Sequence, residues 1–164
     1  MSTFSYDLRT EPWIPVLAVE GNRQTLGIGD VLRRAHELVH VDTENPLFKA
    51  SIVRVLIAVL HRALDGPSDI GELKAILGAG RFEEAAISDY LERWSDRFDL
   101  FHETSPFYQR AGLIVMDKQG NENTDSVKVL RHDIAVGNNK TVFDHSVDSD
   151  EMLLPPSEAA CALV

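Results

Sequence analysis

The chain offers one cysteine in 164 residues, Cys161, so an internal disulfide and a multi-cysteine zinc or iron–sulfur site are both excluded. A lone thiol fits a reducing compartment, and the cytoplasm is the expected location. Cations are also scarce: 16 Lys+Arg stand against 26 Asp+Glu, a formal net charge of −10. A field of that sign repels nucleic acid and anionic lipid at long range, so any nucleic-acid contact has to be local. Long apolar runs are missing. The most apolar stretch, Ile52–Leu60, is broken by Arg54 and flanked by Lys49, His61 and Arg62, far short of the roughly 18 residues that a bilayer span requires. No basic region followed by an apolar run opens the chain, so no export signal is visible and no membrane partner is expected. A phosphate loop is absent as well: Leu26–Asp30 reads LGIGD, without the later glycine and lysine.

What is present suits a packed domain, with 44% hydrophobic residues in a chain long enough to bury a core without staples. Pro12 and Pro15 bracket Trp13-Ile14 and allow only edge or irregular strand there. Val16–Val19 meets a turn at Glu20–Arg23, and Gln24–Leu26 can return antiparallel as a hairpin. Asp30–His40 places Val31, Leu32, Ala35, Leu38 and Val39 at helical spacing. The clearest helix runs from Pro46 to Leu64, capped by Asn45 and stopped by Gly66-Pro67. Its apolar residues cover most of its circumference, which predicts a central buried helix. Ser68 or Asp69 caps a short helix through Leu77, and another begins near Arg81 with Ile87, Tyr90, Leu91, Trp94 and Phe98 on its inner stripe. Leu100-Phe101 and Leu113–Met116 read as brief strands. The fold class is therefore α/β of the α+β type, mixed helices with short antiparallel strands. Near the end, Ser157 can cap an apolar helix that ceases at Val164, too short to stand alone. That pattern is expected of a chain that continues, with residues 1–164 as the N-terminal portion of one larger domain.

Two chemistries compete. His36-Glu37-Leu38-Val39-His40 matches the zinc-hydrolase pattern, which needs two imidazoles on one helix face and a carboxylate to activate water. No third ligand at a recognisable spacing accompanies it. His132-Asp133 and Asp144-His145 could suggest a metal phosphohydrolase, yet both lie in a turn-rich segment without helical partners. The other signal is Ser126–Phe143, where Lys128, Arg131 and Lys140 stand against Asp133, a basic island in an acidic chain. Gly137-Asn138-Asn139-Lys140-Thr141 offers backbone amides, side-chain amides, a cation and a hydroxyl to phosphates or base edges. Phe143 adds a ring that can stack on a base or wedge against a partner. The stretch Ser126–Leu154 is expected to be partly mobile without partners.

Four islands carry a resemblance: Trp13-Ile14-Pro15-Val16, Ser105-Pro106-Phe107-Tyr108-Gln109, Gly137 through His145, and Pro156-Ser157-Glu158-Ala159-Ala160. In order and approximate spacing they resemble the CasA family, the large subunit of the type I-E CRISPR surveillance complex Cascade. The resemblance implies a non-catalytic subunit, without cofactor or bound metal. Its implied partners are the other Cascade subunits, the guide RNA, double-stranded target DNA and a helicase-nuclease effector. It further implies that Gly137–His145 docks towards the guide RNA 5′ handle and a neighbouring subunit, with Phe143 as anchor. Asn138, Asn139 and Lys140 would be polar contacts, and Thr141, Asp144 and His145 complete the loop. The family's glycine-containing DNA-recognition loop would fall near Leu154–Ser157, with Pro156 and Ser157 as its counterpart here, where the segment has prolines and no glycine. A C-terminal helical bundle is implied beyond the chain end.

Overall fold

The computed structural model describes residues 4–123, 127–130 and 153–164. The element order is β1 (Ile14–Ala18), β2 (Arg23–Leu26), α1 (Ile28–Arg33), β3 (Leu38–Val41), α2 (Pro46–Ala63), α3 (Ile70–Gly78), α4 (Glu84–Arg93), β4 (Val115–Met116), β5 (Glu122–Asn123) and α5 (Pro156–Leu163). Helices joined to short antiparallel strands make this an α+β fold, as the residue patterns predict.

The first sheet has the order β2-β1-β3, all antiparallel. Along β1 the inward residues Ile14, Val16 and Ala18 are buried and alternate with half-buried Pro15 and Leu17, the period-two pattern of a strand with one face on the core. The hairpin β1–β2 forms as expected, with Ile14 opposite Leu26 and Val16 opposite Gln24. Pro15 does not lie at an edge, however; it sits in the central strand. Its carbonyl accepts from Asp42 N–H at 2.8 Å, just past the end of β3, so the missing proline donor affects a position where the ladder is already ending.

The helix expected over Asp30–His40 is shorter than the periodicity implies. It spans Ile28–Arg33, a 3₁₀ turn covers Ala35–Glu37, and Leu38–Val41 forms β3. Val41 pairs with Val16 and Leu38 with Ala18, across a bulge at Leu17/Ala18. Long-range pairing of β-branched residues thus overrides a local apolar spacing that fits either structure.

For α2 the expected start holds: Asn45 Oδ1 accepts from Leu47 N–H at 2.9 Å, and Pro46 occupies the first turn. Its expected full burial does not. Ile52, Val55, Leu56 and Val59 face the core, each contributing about 1.5–3 kcal/mol by removal from water. Leu47 and Ile57 remain 65% and 59% exposed, because the sheet, α1, α4 and α5 cover one side of α2. The next helix, α3, buries none of its residues. In α4, Ile87 and Leu91 are buried, whereas Trp94 is half-exposed and Phe98 reaches the core from beyond the helix end.

One hydrophobic cluster runs from Leu8 to Ala160. The segment before β1 threads into it. Leu8 N–H donates to Phe98 O at 2.9 Å, Ile28 N–H donates to Leu8 O at 3.0 Å, and Gly29 N–H donates to Arg9 O at 3.0 Å. A Cβ at Gly27 would lie 2.6 Å from that same Arg9 oxygen, so glycine is what lets the two backbones touch. Arg9 closes the junction with a two-point contact to Asp7 and bonds of 3.2 Å to Leu91 O and 2.9 Å to Glu92.

Candidate nucleic-acid interface

Three of the four sequence islands meet at Trp13. Its indole is 1% exposed, and its Nε1–H donates to Leu8 O at 3.0 Å, satisfying the one polar atom a buried tryptophan brings. Phe107, from the second island, packs edge-on against the indole with centroids 6.3 Å apart, and stacks on Phe98 at 6.1 Å. Just past the last island, the Cys161 thiol donates to Trp13 O at 3.1 Å, and Ala160, its final residue, is fully buried. These motifs hold the core together.

The Tyr6 phenol donates to Pro12 O at 2.8 Å and lies near Ser157. Burial, with Glu11 second, raises the Tyr6 phenol above its ordinary value, and the Ser157 contact works against that shift. Ser157 does not cap α5: Pro155 holds the cap position without a side-chain bond, and Pro156 occupies the first turn, where its missing N–H is harmless. Burial and then the Glu158 carboxylate push the Cys161 thiol up to about 11, so it is a structural thiol and no nucleophile.

The loop residues Gly137, Asn138, Asn139, Lys140, Thr141, Phe143, Asp144 and His145 lie outside the described residues. Their flanks are described. The turn Val127–Leu130 packs against α5, and Leu153–Pro155 leads directly into the same helix. Both described flanks of the candidate segment therefore converge on α5, which Cys161 ties to Trp13.

The zinc-hydrolase alternative loses its geometry. His36 lies in the 3₁₀ turn and His40 on β3, so the two imidazoles share no helix face. His36 faces Glu37 at 3.7 Å, and His40 Nδ1 lies 2.9 Å from Val41 O. Among the described residues, no three His, Cys, Asp or Glu side chains cluster to hold a metal.

Sequence reading gave no weight to a cationic groove beside α2. A cleft of about 640 Å3 lined by Arg62, Arg97 and Arg110 adjoins one of about 570 Å3 lined by Arg54 and His61. Ala58, Arg62 and Tyr108 line both. Spacing of four residues along α2 puts Arg54, Ala58 and Arg62 on one face, but Arg97 and Arg110 come from remote loops, and no local motif announces the set.

The class so defined is an α+β scaffold of helices and short antiparallel strands. The chain belongs to the CRISPR-associated protein Cse1 family, whose model matches residues 7–164. A CasA/Cse1 protein of Thermus thermophilus is 41% identical over 160 residues, covering 97% of this chain and 30% of the relative. The crystal structure of Cse1 from Acidimicrobium ferrooxidans superposes with a TM-score of 0.81 at 34% identity, over 99% of this chain and 28% of that one. A chain of a CRISPR RNA-guided surveillance complex, in a pre-nicking state, matches with a TM-score of 0.82 at 29% identity, over 97% of this chain and 33% of that one. The chain thus spans about a third or less of the length of these relatives. Among the described residues, no helix is long and apolar enough to cross a membrane.

Proposed function

We propose that this chain serves in the large subunit of an RNA-guided surveillance complex that acts in the cytoplasm, and that it does so without catalysis. The observation that carries this reading is the likeness of its fold to a chain of such a complex. In this reading Gly137–His145 docks on the guide RNA 5′ handle and on a neighbouring subunit, with Phe143 as anchor and Asn138, Asn139 and Lys140 as polar contacts. Convergence of the described flanks, Val127–Leu130 and Leu153–Pro155, on α5 supports it. Pro156 and Ser157 start the helix beside which duplex DNA passes, and the subunit contributes to reading the protospacer-adjacent motif there. Base pairing with the guide supplies the remaining sequence reading, a division of labour general to RNA-guided recognition. The opened duplex is then handed to a separate helicase-nuclease.

The test replaces Gly137–His145 with a glycine–serine spacer and measures incorporation into the complex with guide RNA on a native gel. Loss of incorporation, with the spacer variant still folded, is the expected result. Normal assembly would remove the docking role from this segment.

A further inference from the structure

The arginine groove beside α2 is independent of the loop just discussed, and its chemistry points to a ligand of its own. Arg54, Arg62, Arg97 and Arg110, with His61, line two clefts that share Arg62 and Tyr108, and among the described residues no Asp or Glu lines either one. In a chain with 26 acidic and 16 basic residues, a groove whose described lining carries four arginines and no Asp or Glu is a concentrated exception to the overall charge. Arg97 has a neighbouring Asp96 at 3.7 Å. Among the described residues, Arg54, Arg62 and Arg110 make no ion pair, so their forked donors face solvent without a protein acceptor. Each guanidinium presents planar N–H pairs that match the oxygens of a phosphodiester.

Tyr108 supplies the second half of the argument. It is 62% exposed, and its backbone has a φ of 55°, the left-handed region that side chains other than glycine seldom adopt. Structure around it enforces that conformation. Phe107 is locked in the core against Trp13 and Phe98, while the Gln109 side-chain amide donates to Leu100 O at 2.9 Å and Phe107 O at 3.3 Å. The Tyr108 ring leans on Phe107 with centroids 4.9 Å apart, and this backbone held by its neighbours keeps the rest of the ring exposed where it lines both clefts with the arginines. A ring flanked by cations is the arrangement on which an unpaired base stacks while its phosphates meet the charges.

We infer that the groove between α2 and the 104–111 turn binds a single-stranded segment of nucleic acid, its phosphates on Arg54, Arg62, Arg97 and Arg110 and one base on the Tyr108 ring. Duplex is disfavoured as the ligand because its bases are already stacked and cannot reach the tyrosine. The groove supplements the loop contact and does not depend on it.

The test measures fluorescence anisotropy of a labelled oligouridylate of about ten nucleotides with the purified chain, from about 50 to 200 mM salt. Arg62→Glu with Arg110→Glu should weaken binding at least about tenfold at the low-salt end and flatten the salt slope by about 1.4, at about 0.7 per lost phosphate contact on a single strand. Tyr108→Ala should weaken it by about fivefold or more, and Tyr108→Phe should restore it. Arg54→Ala with Arg97→Ala gives a second, charge-neutralising check, and circular dichroism confirms the fold of each variant. Asn138→Ala with Lys140→Ala should leave this binding unchanged. That pattern separates the groove from the loop: loop variants failing in complex assembly while retaining oligonucleotide binding supports both sites. The inference is overturned if the wild-type chain shows no salt-dependent binding, or if the arginine or Tyr108→Ala variants bind as well as wild type. It is equally overturned if duplex binds more tightly than single strand, or if polyglutamate of equal charge displaces the oligonucleotide as effectively as unlabelled RNA.

Discussion

The thiol of Cys161 donates a hydrogen bond to the carbonyl oxygen of Trp13 at 3.1 Å, joining residues 148 positions apart in the sequence. Through this contact the last helix is fastened to the first strand region, and the base of the connecting segment is fastened with it. The raised thiol fixes the direction of the pH effect. A folded value of about 11 against an ordinary 9.0 makes the neutral thiol the form that the fold favours. Its contribution is complete below the ordinary value and is lost as pH rises towards 11. Iodoacetamide labelling at pH 8 should therefore be slow in the folded chain and fast in urea, and urea midpoints should fall between pH 9 and 11 more steeply for wild type than for Cys161→Ala.

Phe107 connects the 104–111 turn to Trp13 and Phe98. Phe107→Ala should cost about 3–5 kcal/mol of stability, as large-to-small changes of buried aromatic residues do. Tyr108→Ala, next in sequence but exposed, should shift stability by about 0.5 kcal/mol or less. Denaturant unfolding of the two variants measures the contrast directly.

Gly27 has an ordinary φ of −80°, so its requirement is space and not backbone freedom. Gly27→Ala should destabilise by about 1–3 kcal/mol through forced displacement of the Arg9 carbonyl, and Gly21→Ala, in open space but at φ 87°, should act through its backbone alone. A thermal melt of Gly27→Ala near wild type would show that the Arg9 segment can yield.

Asp99 clasps the N-terminal segment. Burial would raise its carboxyl, but the Ser5 hydroxyl and the Phe101 and Tyr6 backbone N–H groups outweigh this and hold it below its usual range. A lowered folded value means that the stabilisation is present above the ordinary carboxyl range and disappears as pH falls through the folded value. Acid titration of stability should show wild type losing more than Asp99→Asn between about pH 5 and the acid limit.

Local chemistry was readable where one element could announce itself. Asn45-Pro46 marked the start of α2, and the Glu20–Arg23 turn marked the hairpin, because caps and turns are decided by adjacent residues. The face of α2 that stays exposed was not readable, since apolar content says which residues can be buried and not what covers them. β3 was hidden for a related reason: Leu38 and Val39 fit a helical stripe, and only the pairing of Leu38 with Ala18 and of Val41 with Val16 makes the segment a strand. The Trp13, Phe107 and Pro156–Ala160 islands are legible as family motifs, yet what they do in the fold is not: Phe107 packs on the Trp13 indole and Ala160 is buried in the same core. The arginine groove was invisible, because its cations are separated by as many as 56 positions between Arg54 and Arg110 and only the fold assembles them.

The helix α3 has Ile70, Leu73 and Leu77 exposed and no residue in the core. Nine residues are too few to persist as an isolated helix in water, so its order depends on its first turn. There Asp69 accepts from Glu72 N–H at 2.8 Å, and the Glu72 carboxylate accepts from Ser68 N–H at 2.7 Å and its hydroxyl at 2.9 Å. The Ser68 bonds hold the Glu72 carboxyl below its ordinary value. Acid strong enough to protonate Glu72, below the ordinary carboxyl range, should accordingly loosen α3, and amide exchange should reveal Ile70–Gly78 as a separately melting unit.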